Sequence, residues 1–95
     1  MPRGEVYLTD LERKVKKALD EAGLSYVMQY PTRTGFVLDF AILDRQIAIE
    51  ADGPHHDVPA RRSKDAFRTL RLKQEGWRIV RIHWDQEPEN IIRAL

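Results

Sequence analysis

Two alternating stretches set close together restrict this chain more than any other feature. Phe36, Leu38, Phe40 and Ile42 alternate with Val37, Asp39 and Ala41. Across the turn Leu43-Asp44-Arg45-Gln46, Ile47, Ile49 and Ala51 alternate with Ala48, Glu50 and Asp52. A period of two, broken once by a short polar turn, specifies a β-hairpin. One of its faces is large and apolar; the other carries small residues and carboxylates. A turn centred between Asp44 and Arg45 brings residues whose numbers add to 89 opposite each other. Asp39 then faces Glu50, and Asp52 follows on the same face.

The flanking segments supply the layers this hairpin needs. Thr9-Asp10-Leu11-Glu12 fits a capping box, and Leu11, Val15, Ala18, Leu19 and Ala22 mark one face of a helix that Gly23 ends. Leu24 to Tyr30 is predicted as a strand with Tyr26, Met28 and Tyr30 on one side; Pro31 ends it and Thr32-Arg33-Thr34-Gly35 turns the chain. Gly53-Pro54 breaks the hairpin's second strand, and a loop through His55, His56 and Pro59 leads to a helix over 62–75. Ala66, Phe67, Leu70 and Gln74 stand there at helical spacing, with Gly76 as the cap. Trp77 to Trp84 is an alternating strand, and Pro88 opens a short final helix. The order α-β-β-β-α-β-α contains a βαβ unit, so the last strand should run parallel to the third. An α/β sandwich on a mixed four-stranded sheet is the expected fold.

Ninety-five residues suit a single domain over 1–95, because a chain this short cannot divide into two stable cores. The absence of cysteine excludes a disulfide framework, a thiol nucleophile and a thiolate zinc site. No apolar run nears the roughly 20 residues of a membrane span, and MPRGEVYLTD lacks the apolar segment of a secretory leader. The expected location is cytoplasmic.

The net charge of +1 conceals an uneven distribution. Residues 1–60 hold 7 Lys/Arg against 10 Asp/Glu, whereas residues 61–95 hold 9 against 5. Arg61, Arg62, Lys64, Arg68, Arg71, Lys73, Arg78 and Arg81 crowd one window. Such a block fits a polyanion partner or, equally, a solvated helix face.

Like charges opposite each other destabilise a sheet, so Asp39, Glu50 and Asp52 call for a compensating cation. Their own face offers only Val37, Ala41 and Ala48. A hard divalent metal suits them, held by one or two carboxylates together with phosphate oxygens and waters. The alternative leaves one acid solvated at a strand end and pairs the others with basic residues of the helix at 62–75. Mutual repulsion should also raise the pKa of at least one acid.

Phe36-Val37-Leu38-Asp39-Phe40, followed by Ile47-Ala48-Ile49-Glu50-Ala51-Asp52-Gly53-Pro54-His55-His56, resembles the D-F…E-x-D-G-x-x-H signature of very-short-patch-repair-like endonucleases. These belong to the PD-(D/E)XK nuclease superfamily, and a related bacterial family of endonuclease-like domains is similar as well. The resemblance runs through Asp65-x-x-Arg68, Leu72, Gly76-Trp77 and Arg81, from about Thr9 to Trp84. It implies a restriction-endonuclease-like fold and a divalent-metal-dependent endonuclease that hydrolyses phosphodiester bonds in DNA. The implied cofactor is Mg²⁺, with Mn²⁺ able to substitute.

By position, the resemblance makes Asp39 and Glu50 metal ligands, and Glu12 matches a glutamate near the metals. Glu12 is equally the capping-box partner of Thr9. Asp52 stands where the wider superfamily usually has lysine; it becomes a further metal or water-positioning group, and His56 a substitute acid/base, with Lys64 a weaker candidate. Arg61, Arg62, Lys64, Arg68, Arg71, Lys73 and Arg81 would contact DNA phosphates. Trp77 reads as core, and Trp84 as either core or a base-stacking platform. Two other functions stay open: a silent DNA-binding module within a larger assembly, and a nuclease acting on RNA or branched DNA. A further domain or protein partner supplying specificity fits the short length.

Overall fold

The computed structural model describes residues 8–53 and 59–95, with side chains described for 8–53 and 63–95. The chain runs α1 (Asp10–Glu21), β1 (Val27–Pro31), β2 (Val37–Ile42), a short 3-10 turn (Leu43–Arg45), β3 (Ile47–Asp52), α2 (Pro59–Gln74), β4 (Arg78–His83) and α3 (Pro88–Arg93). The sheet order is β1-β2-β3-β4, antiparallel except for the β3–β4 pair, which is parallel as the βαβ pattern requires. The α/β class and the element order are those expected. Two boundaries move. β1 begins at Val27, and α2 begins at Pro59, which suits a first helical turn because its missing N–H needs no partner there.

The hairpin register follows from its turn. Phe40 pairs with Ile49, Ala41 with Ala48 and Ile42 with Ile47, all consistent with the predicted alignment. Gln46 closes the turn with φ 54° and accepts a hydrogen bond from the Arg78 N–H at 2.9 Å. Gly76 sits against it: a Cβ there would lie 2.8 Å from Gln46 Oε1. The Gln46 side chain could swing aside, but the φ of 96° at this position favours glycine.

On one side of the sheet α1 is fixed by a complete capping box. Glu12 N–H donates to Thr9 Oγ1 at 3.2 Å, and Thr9 N–H donates to Glu12 Oε1 at 3.0 Å. Val15, Ala18 and Leu19 are buried against Phe40, Ile42, Ile47, Ile49, Ile82 and Ile92 of α3. The second apolar cluster, on the α2 side, is smaller: Leu38, Ala41, Ala48, Leu72 and Trp77, with Tyr30 and Phe36 packed beside it. Trp77 is a core residue, as expected.

Two expectations are corrected. The stripe Ala66, Phe67, Leu70 and Gln74 does not face the sheet; Phe67 is 61% and Leu70 54% exposed. The inward stripe is Asp65, Arg68, Thr69, Leu72 and Glu75, held largely by polar ties. Arg81 donates to Asp65 Oδ2 at 3.2 Å and to Thr69 Oγ1 at 2.8 Å, and Thr34 Oγ1 donates to Glu75 at 2.7 Å. Both stripes obey helical spacing, so spacing alone does not separate them. The second correction concerns β1. Tyr26 and Met28 pack on the α1 side, whereas Tyr30 joins the α2-side cluster. Between them Gln29 has φ 51°, a left-handed conformation that reverses the alternation at that point.

Candidate active site

The β2–β3 ladder stops short of its strands. Its last pair is Phe40 with Ile49, yet β2 continues back to Val37 and β3 on to Asp52. Beyond that pair β2 stays bonded to β1 and β3 to β4, so the sheet forks. Carboxylates replace the missing ladder bonds. Ala51 N–H donates to Asp39 Oδ2 at 2.9 Å, and Asp39 N–H donates to Glu50 Oε2 at 3.4 Å. The predicted Asp39–Glu50 juxtaposition is present and sits at the root of the fork.

Cavities flank this fork. One of about 530 Å³ is lined by Glu12, Asp39, Ala51, Gly53 and Trp84 together with other residues of the α1 N-terminus. Another of about 230 Å³ is lined by Asp39, Glu50, Ala51, Asp52, Asp65, Arg68 and Arg81. Asp39 and Ala51 border both.

The cation that compensates Glu50 is a protein side chain. Arg68 Nη2 donates to Glu50 Oε1 at 2.5 Å and to the Val37 carbonyl at 2.8 Å, so one guanidinium spans both limbs of the fork. Among the described residues Glu50 is the one buried charged group, its side chain 9% exposed. Burial raises its pKa to about 7 even though Arg68 acts in the opposite direction; the nearby Asp39 adds a smaller upward push. A raised acid was expected, but its main cause is desolvation rather than repulsion. The pairing of Glu50 with the helix at 62–75 follows the structural alternative for this acid.

The remaining candidates are placed as follows. Asp52 Oδ2 lies 3.4 Å from His83 Nδ1, and the parallel register sets these two residues side by side. His83 had no signal in the sequence beyond its position at a strand end, because nothing short fixes a parallel register. Glu12 lines the larger cavity while serving the helix cap. Arg81 ties Asp65 and Thr69. Lys64 lines a separate cavity with Phe36, Asp65, Phe67 and Arg68. Arg71 and Lys73 are exposed. His55 and His56 lie outside the described residues, as do the side chains of Arg61 and Arg62.

The carboxylate oxygens of Asp39, Glu50 and Asp52 are hard donors that suit Mg²⁺ or Mn²⁺, ions that retain waters and accept few protein ligands. Among the described residues no group of three or more acidic or histidine side chains is arranged to hold a metal ion.

Comparison with known proteins adds the following. The model of the restriction-endonuclease-like family REase_MTES_1575 matches residues 11–95. The uncharacterized protein YcjD of Escherichia coli is 32% identical over 93% of this chain and 81% of its own length. An uncharacterized protein of Haemophilus influenzae is 30% identical over 82% of this chain and 66% of its own. Among solved structures, the catalytic domain of the homing endonuclease I-Bth0305I superposes with TM-score 0.70 and 27% identity. It covers 92% of this chain and 87% of that domain.

Proposed function

Because the chain belongs to the restriction-endonuclease-like family REase_MTES_1575, we propose that it is a divalent-metal-dependent DNA endonuclease of the very-short-patch-repair-like branch. The observation that carries this reading is the fork, which sets Asp39 and Glu50 from adjacent strands beside open cavities.

In this reading Asp39 and Glu50 hold Mg²⁺ or Mn²⁺, with Asp52 as a further oxygen donor. The bound ion supplies charge to polarise the scissile phosphate and to acidify a water. The Ala51 N–H orients the Asp39 carboxylate, leaving Oδ1 without a partner among the described residues. Arg68 neutralises Glu50 and fixes its rotamer across the fork. In this reading His83, paired with Asp52, takes the acid/base role that the family resemblance gives to His56. Lys64, Arg71 and Lys73, with Arg61 and Arg62, contact the DNA backbone by charge. A further domain or protein partner supplies any sequence specificity.

A second reading, a DNA-attachment module without catalysis, is favoured by one observation: Arg68 already compensates Glu50. Supercoiled plasmid separates the two. Purified protein with Mg²⁺ or Mn²⁺ is expected to nick or linearise it, EDTA to stop the reaction, and Asp39→Asn or Glu50→Gln to abolish cleavage without loss of fold. DNA binding without cleavage under every metal condition would establish the module instead. Full activity of both variants would remove the assignment of these acids.

A further inference from the structure

We infer that Trp84 is a nucleobase-stacking residue, its indole receiving the exposed face of a base next to the phosphodiester bound in the acidic cleft. The inference rests on the nuclease reading and extends it to the state of the substrate. Of the chain's two tryptophans, Trp77 is 8% exposed and belongs to the core, whereas Trp84 is 58% exposed. Phe67 and Leu70 are as exposed but lie on the outer face of α2, and Val27, Val37 and Leu43 are less exposed and lie on β1, β2 and the hairpin turn. Trp84 alone of this exposed group lines the cavity that contains Asp39 and Glu12.

Its backbone is pinned to the site. Trp84 N–H donates to the Asp52 carbonyl at 3.0 Å, extending the β3–β4 ladder by one bond. The turn after it is closed by Gln86, whose N–H reaches the His83 carbonyl at 3.0 Å while its Oε1 accepts the His83 N–H at 2.7 Å. Among the described residues no aromatic or cationic group stacks on the indole. A large π surface thus stands on the rim of a cleft lined by Asp10, Glu12 and Asp39 together with Lys14. Cations in the cleft act on the phosphate, whereas indole–base stacking adds an uncharged attraction to the neighbouring base that tolerates any sequence. Stacking requires a base with an open face, which comes from a single strand or from a duplex opened at that step.

Titration of the full chain with fluorescein-labelled DNA in Ca²⁺, followed by anisotropy and by tryptophan emission, tests this. One arm uses a single-stranded oligonucleotide and the other its blunt duplex. Both arms are repeated with Trp84→Phe and Trp84→Ala, whose folds are checked by thermal melting. Wild-type emission should be quenched on binding, and Trp84→Phe should lose the quench, since only buried Trp77 remains. Trp84→Ala should bind at least about fivefold more weakly, the lower end of the range for loss of one stacked base. Quenching by the single strand alone identifies an unpaired base as the partner; quenching by both identifies insertion into a duplex step. Binding without quenching, or an unchanged affinity of Trp84→Ala, overturns the inference and leaves the nuclease reading standing. Absence of any binding by the wild type removes both.

Discussion

On one side of the sheet, α1 and α3 close a core of Val15, Leu19, Phe40, Ile42, Ile49, Ile82 and Ile92, all buried. On the other, α2 offers Leu72 to the core and is otherwise joined by Arg68, Asp65, Thr69 and Glu75. The two helices share a fold but differ in what holds them. α1 is held by area removed from water, which does not depend on protonation or on the screening of charges. α2 is held by charge-assisted hydrogen bonds, which depend on protonation and on nearby ions. Cohesion sits on the α1 side, while the α2 side keeps cations in reach of the acids.

Substitutions can break this contrast, and the largest effect belongs to the packed side. Leu19→Ala should cost about 2–5 kcal/mol in urea unfolding, the range for a fully buried leucine. Next comes Arg68→Met, which removes one partner of the Glu50 pair. Loss of a fully buried partner costs about 3–5 kcal/mol, and partial exposure of Arg68 should reduce this to about 1–3 kcal/mol. The loss should be smaller at pH 5.5 than at pH 8, because Glu50 can then be neutral. Equal losses at both pH values would show that Arg68 acts by packing alone.

A gentler measurement follows the wild type in EDTA. The folded-state pKa of Glu50 is raised to about 7, so the folded protein binds that proton more tightly than the unfolded chain. The resulting stability is fully present below the unfolded glutamate pKa of about 4.3 and is lost as pH rises through about 7. Glu50→Gln should flatten that part of the profile in urea melts. The smallest effect belongs to Phe67→Ala, expected within about 0.5 kcal/mol because the ring is already exposed. A larger cost would mean that the outer face of α2 is packed in solution.

The parts of the site legible in the sequence were those fixed by a short loop. The turn at Leu43–Gln46 sets the hairpin register, so Asp39 and Glu50 could be placed opposite each other from residue numbers alone. The capping box was legible for the same reason, since Thr9 and Glu12 are neighbours in the chain. Contacts across the βαβ crossover were not. No local rule sets the phase of α2 against the sheet, so Arg68 could not be assigned to Glu50, nor the outward position of Phe67 and Leu70 foreseen. His83 beside Asp52 depends on the parallel register and was hidden for that reason. Gln29 gave no warning either, because glutamine is not a residue whose presence announces a left-handed backbone.

The fork also has a consequence in time. Its acid pair spans 11 residues of sequence, whereas Arg68 lies 18 residues beyond Glu50. Contacts of short separation form early, and a chain made from its N-terminus exposes the hairpin before α2 exists. Asp39 and Glu50 are therefore brought together before Arg68 can reach them, and a proton or a cation from solution must fill that role meanwhile. Refolding should accordingly run faster in mildly acidic buffer than at pH 8.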